Sequence, residues 1–127
     1  MVFTSLEKRN RIKYTLEQIK TAIDQLKEWN EDVSDADQFY LSSSGMQKLA
    51  ANCMLIEAIG EGIKQIDGHS DGKLLPERPE IPWRDVIGAR NHIAHGYFEI
   101  DAETVLSIIK NDLDPLQDAI RYFLETM

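Results

Sequence analysis

Apolar residues recur along this chain in steps of three and four, the period of one face of an α-helix. Ile12, Leu16, Ile19, Ile23 and Leu26 form the first such seam, opened by a cap at Thr4 or Ser5 and ended at Trp29-Asn30. Its spacing resembles that of a coiled coil and suits bundle packing at a shallow angle. A second helix is predicted from about Met46 to Ile66. One of its stripes is Met46, Leu49, Cys53, Ile56, Gly60 and Ile63; the other is Leu55, Ile59, Ile63 and Ile66. Two stripes imply burial on more than one side, as for a central helix. Gly60 and Gly62 weaken that helix but permit another backbone to approach closely. A short third helix begins at Pro82, whose missing N–H costs nothing in a first turn, and stops at Gly96. Trp83, Val86, Ile87, Ala89, Ile93 and Ala94 recur along it. Asp101, with Thr104 three residues on, caps the final region, whose apolar face runs from Val105 through Ile109, Leu113, Leu116 and Ile120 to Leu124. Asp114-Pro115 interrupts it, which predicts a kink or two consecutive helices.

The connecting stretches carry turn signals. Ser42 to Gly45 reads as a turn and cap, and Asp35 to Leu41 has room for a helical turn. Asp67 to Pro82 is a connector containing Gly68, Gly72, Pro76 and Pro79. The expected fold is therefore all-α: one domain over residues 1–127, an antiparallel bundle of four principal helices, with a fifth if Pro115 divides the last.

Composition narrows the function more than the fold. A chain of 127 residues with 43% hydrophobic and 28% charged residues is an ordinary globular domain. No apolar run approaches a membrane span, and Met1 to Arg11 lacks a signal-peptide core. The single cysteine, Cys53, rules out an internal disulfide and fits a reducing cytoplasm; on an apolar face it reads as a buried structural thiol. The net charge of −8 argues against non-specific nucleic-acid binding by counterion release. It leaves room for a local cationic pocket, since one arginine suffices for one phosphate. Lys8, Arg9, Arg11, Lys13, Lys20 and Lys27 on the first helix read as a solvated face. His69 between Asp67 and Asp71 reads as an exposed histidine, and His92 with His95 lacks a further ligand at matching spacing. No metal and no cofactor is assigned.

The chemistry concentrates in Arg90-Asn91-His92-Ile93-Ala94-His95-Gly96-Tyr97. Arg90 offers a planar fork of donors to a phosphate. His95 can move a proton near neutral pH. Asn91 can orient either partner, and Tyr97 adds a hydroxyl. These types together suit work on a phosphodiester. At about 100° per residue Asn91 and His95 share a helical face, whereas Arg90 and His95, five apart, do not. Convergence requires unwinding at the Gly96 end, a long reach by Arg90, or the same residues from a second copy. On the second helix Glu57 and Glu61 stand one turn apart, read first as an exposed pair or as partners of Lys64 or Arg90.

An arginine, four residues, a histidine, one residue and a tyrosine is the motif of the HepT-like proteins, a branch of the higher-eukaryote-and-prokaryote nucleotide-binding (HEPN) class. Ile81-Pro82-Trp83 before it, Phe98-Glu99-Ile100-Asp101 after it, and Ile59-Gly60-Glu61 further back also resemble that family. The similarity covers most of the chain. It implies a compact four-helix protein that forms a homodimer and acts as a metal-independent endoribonuclease toxin. It further implies a minimal nucleotidyltransferase (MNT) antitoxin that silences the nuclease by transferring AMP to tyrosine. Carried over by position, Arg90 and His95 become the catalytic pair, Asn91 the supporting residue and Tyr97 the AMP acceptor, with RNA as substrate. The alternative is a non-catalytic nucleotide- or partner-binding module that regulates a nucleotidyltransferase, which the acidic surface favours.

Overall fold

The computed structural model describes residues 5–96 and 98–127. Helix α1 spans Leu6–Trp29, and Ser5 caps it by accepting the Lys8 N–H at 3.2 Å. Its buried residues are Ile12, Leu16, Ile19, Ala22, Ile23 and Leu26, the seam expected from periodicity plus one alanine. A 3₁₀ turn at Ala36–Tyr40 follows, opened by a reciprocal capping box between Asp35 and Gln38, and it buries Phe39. Helix α2 spans Ser43–His69 and extends past its expected ends in both directions. Ser42 Oγ takes the Gly45 N–H at 3.0 Å, so the serine run serves as cap and first turn. Leu49, Ile56, Ile59, Ile63 and Ile66 on α2 lie in the core, as befits a helix covered on several sides. His69 falls in its last turn and is half-buried, not exposed as its sequence context implied.

Helices α3 (Trp83–Ile87), α4 (Ala89–Ile93), α5 (Ala102–Ser107) and α6 (Leu113–Thr126) complete the all-α bundle. Asp101 caps α5 as expected, accepting the Thr104 N–H at 3.1 Å and the Thr104 hydroxyl at 2.7 Å. These bonds hold its carboxyl below the ordinary aspartate range, the side-chain bond contributing most. Between α5 and α6 lies a π turn, Ile108–Asp112. Pro115 itself sits inside α6. An α-helix drawn straight through it would drive its ring into the Asn111 carbonyl, four residues back; Asn111 lies in the wider π turn. The irregularity thus precedes the proline instead of falling on Asp114-Pro115.

Two devices hold this arrangement. The first is a buried pair of amides. Asn30 and Asn52, both fully buried, exchange Nδ2–H···Oδ1 bonds of 2.9 Å in each direction. Asn30 Nδ2 also donates to the Leu26 carbonyl at 2.8 Å, and Lys110 Nζ donates to the Asn30 carbonyl at 2.8 Å. The end of α1, the middle of α2 and the π turn are thereby tied through groups that burial forbids to remain unpaired. The second is close backbone approach at Gly60. A Cβ there would stand 2.9 Å from the carbonyl oxygens of both Val86 and Ile87. Gly62 meets side chains of α1, the nearest at 3.0 Å on Ile19.

The same substitution should therefore have opposite effects at two points of α2. Gly68, with open space around it, should accept alanine with a gain of up to ~1 kcal/mol. Gly60→Ala should destabilise by ~1–3 kcal/mol, because the obstructing atoms are backbone. Urea denaturation of the two variants measures the difference, and equal stabilisation by both would disprove the close approach. Asn52→Leu should cost ~1–3 kcal/mol by stranding the Asn30 amide, checked in the same assay.

Candidate active site

The connector that leads into the site is anchored by one indole. Trp83 Nε1 donates to the carbonyls of Leu75 and Arg78, each at 3.0 Å, and its ring packs 5.8 Å from that of Phe123 on α6. The Arg78 guanidinium lies 5.2 Å over the Tyr122 ring. Trp83 opens α3, so these contacts fix where α3 begins. Gly60 then fixes where it ends.

From α3 onward the backbone departs from the single short helix that periodicity predicts. Gly88 divides it into α3 and α4, each of five residues, and α4 stops at Ile93. Ala94 is extended (φ −154°, ψ 140°) and pairs with Ile100 as an antiparallel bridge. The Asp101 N–H donates to the Ile93 carbonyl at 2.7 Å, and the His95 N–H to the Glu99 carbonyl at 3.1 Å. The Glu99 N–H closes onto the Gly96 carbonyl at 3.3 Å. Gly96 has φ +122°, a conformation that side-chain-bearing residues rarely adopt. Tyr40 Oη donates to the Ile100 carbonyl at 3.3 Å and secures the returning limb to the 3₁₀ turn. The motif thus begins on a helix and ends on a small closed loop.

This geometry corrects one expectation. Asn91 remains on α4 while His95 lies beyond it, so the shared helical face of Asn91 and His95 does not exist. Unwinding at the Gly96 end, one of the three routes to convergence of His95 with Arg90, is present from Ala94 onward. Asn91 and His95 are both exposed. Among the described residues, no hydrogen bond or ion pair joins the side chains of Arg90, Asn91 and His95. Tyr97 lies outside the described residues. Phe98 is 95% exposed, whereas Ile100 packs against the core. The loop's backbone bonds, not a buried phenyl ring, hold it in place.

Among the described residues, Arg90 has one ion-pair partner, and it comes from α2. Its Nε lies 3.3 Å from Glu57 Oε2, with both side chains about half exposed. The sequence offered this pairing among several for Glu57; the packing selects it, because Glu57 is one turn before Gly60, where α3 crosses α2. Cys53, a further turn back, is half-buried. Burial, and then the Glu57 carboxylate, push its thiol above the ordinary value, which keeps it a packing group at neutral pH.

Beside the motif, α4 also borders an apolar groove of about 730 Å³, where Ala89 and His92 face Ile56 and Ile59 of α2 and Ile108 and Leu113. Sequence reasoning missed this groove, because its walls come from segments far apart in the chain. It also missed Asn52, whose only signal was an amide at a core-facing position of α2. No described helix is long and apolar enough to cross a membrane.

Comparison with known proteins gives the family. The family model described as ribonuclease HepT-like matches residues 19–123. A probable ribonuclease HepT of Thermococcus cleftensis is 33% identical over 102 residues, covering 80% of this chain and 86% of that protein. A putative RNase of Methanocaldococcus jannaschii, MJ1380, is 31% identical over 65 residues, 51% of this chain and 56% of that protein. No solved structure matches significantly. With its helical bundle, its Arg90–His95 segment and a family match over most of its length, the chain belongs to the ribonuclease HepT-like family.

Proposed function

We propose that this protein is a metal-independent endoribonuclease toxin in which Arg90 and His95 cleave RNA by internal attack of the ribose 2′-oxygen. One observation supports the reading: in a chain of the ribonuclease HepT-like family, the Arg90 guanidinium on α4 and the exposed His95 imidazole, on the backbone-closed loop that follows α4, stand five residues apart. The 2′-oxygen attacks phosphorus, the bond to the 5′-oxygen breaks, and the products are a 2′,3′-cyclic phosphate and a 5′-hydroxyl. His95 takes the 2′-proton or supplies one to the leaving oxygen. Arg90 stabilises charge gathering on the phosphoryl oxygens, and Asn91 holds His95 or one of those oxygens. With one such imidazole per subunit, a homodimer provides both an acid and a base. The net charge of −8 fits a substrate gripped at few phosphates.

Regulation follows from the same segment. A minimal nucleotidyltransferase antitoxin transfers AMP from ATP to the Tyr97 hydroxyl with release of pyrophosphate. An added phosphodiester two residues from His95 places negative charge where the substrate phosphate must sit.

His95→Ala should lower cleavage of a labelled RNA in EDTA by ~10²–10⁴-fold, with cyclic phosphate ends on the wild-type products. Equal cleavage by both proteins would sink the mechanism. Tight nucleotide binding with intact RNA would instead support a binding module. Incubation with ATP and the antitoxin should add the mass of AMP to the wild type and nothing to Tyr97→Phe; identical labelling of the two removes Tyr97 as acceptor.

A further inference from the structure

The Glu57–Arg90 ion pair assigns a task to a carboxylate that the motif does not contain. We infer that Glu57 is a positioning residue which, by holding the edge of the Arg90 guanidinium, turns its terminal nitrogens toward the substrate phosphate. The inference rests on the nuclease reading given above.

A guanidinium presents donors on two edges, one that includes Nε and one made by the two terminal nitrogens. Glu57 approaches at Nε, 3.3 Å away. Among the described residues, no hydrogen bond engages either Nη. The bidentate edge is thereby left for an anion, which is the geometry that phosphate recognition uses. Left alone, an arginine side chain this exposed samples many rotamers, so an anchor on one edge reduces what must be ordered when substrate arrives. The anchor is itself placed rigidly. Glu57 stands on a 27-residue helix, one turn from the point where Gly60 touches the carbonyls that end α3. The distance between the carboxylate and α4 is therefore set by backbone contact and not by two flexible side chains finding each other.

Two further acidic residues help to separate this role from general electrostatics. Glu61 is exposed one turn along α2 but forms no ion pair among the described residues. Asp85 on α3 is likewise exposed and unpaired among them. A role through charge alone would belong to all three; a role through orientation belongs to Glu57.

The test is a double-mutant cycle on RNA cleavage. Glu57→Ala should lower kcat roughly two- to fivefold, the range open to an ion pair of this exposure, with KM changed less. Glu57→Gln, which keeps an acceptor at the same reach, should recover most of the loss. In an Arg90→Ala background Glu57→Ala should have no further effect, and Glu61→Ala should match wild type throughout. Equal losses from Glu57→Ala with and without Arg90, no loss at all, or faster cleavage would each overturn the assignment while leaving the nuclease reading intact. A wild-type protein that fails to cleave RNA overturns both.

Discussion

The contact of Gly60 with the carbonyls of Val86 and Ile87 is the constraint from which the site's geometry follows. The two backbones approach too closely for a methyl group to fit between them, which sets where α3 lies on α2. That contact ends α3, and Gly88 then allows the chain to start again as α4. Arg90, on the second residue of α4, arrives beside Glu57, one turn from the contact. A methyl group at residue 60 would lift the whole segment away from α2, and Arg90 would lose its registration.

The site is otherwise economical in buried polar groups. The side chains of Arg90, Asn91 and His95 are exposed or half exposed, and the features that locate them are backbone bonds and an indole. The polar network with the deepest burial, Asn30 with Asn52 and Lys110, lies elsewhere and ties α1, α2 and the π turn together. This division is physically sensible. Buried amides must be paired in the folded state whatever the protein does. A group that binds an anion must remain open to it.

Loop closure after α4 does a different job from helix packing. A continuing helix would have carried Asn91 and His95 on one stripe and pointed both the same way. The bridge between Ala94 and Ile100, with the bonds from His95 to Glu99 and from Asp101 to Ile93, replaces the helical ladder before His95 is reached. The turn requires a positive φ at Gly96, and Phe98 within it is exposed.

Several features were legible from the chain alone because they depend on near neighbours. The α1 seam, the caps at Ser42 and Asp101 and the helical turn after Asp35 all follow from spacing or side-chain type within a few residues. What periodicity misplaced was decided by partners distant in sequence. Ile93 ends its helix because Asp101 returns to it. The choice among the possible partners of Glu57 belongs to the same class. Helical period and cap chemistry are written into consecutive residues, so the sequence determined the principal helices and their caps. The direction in which Arg90 and His95 are offered depends on which backbones touch, and only tertiary packing decides that.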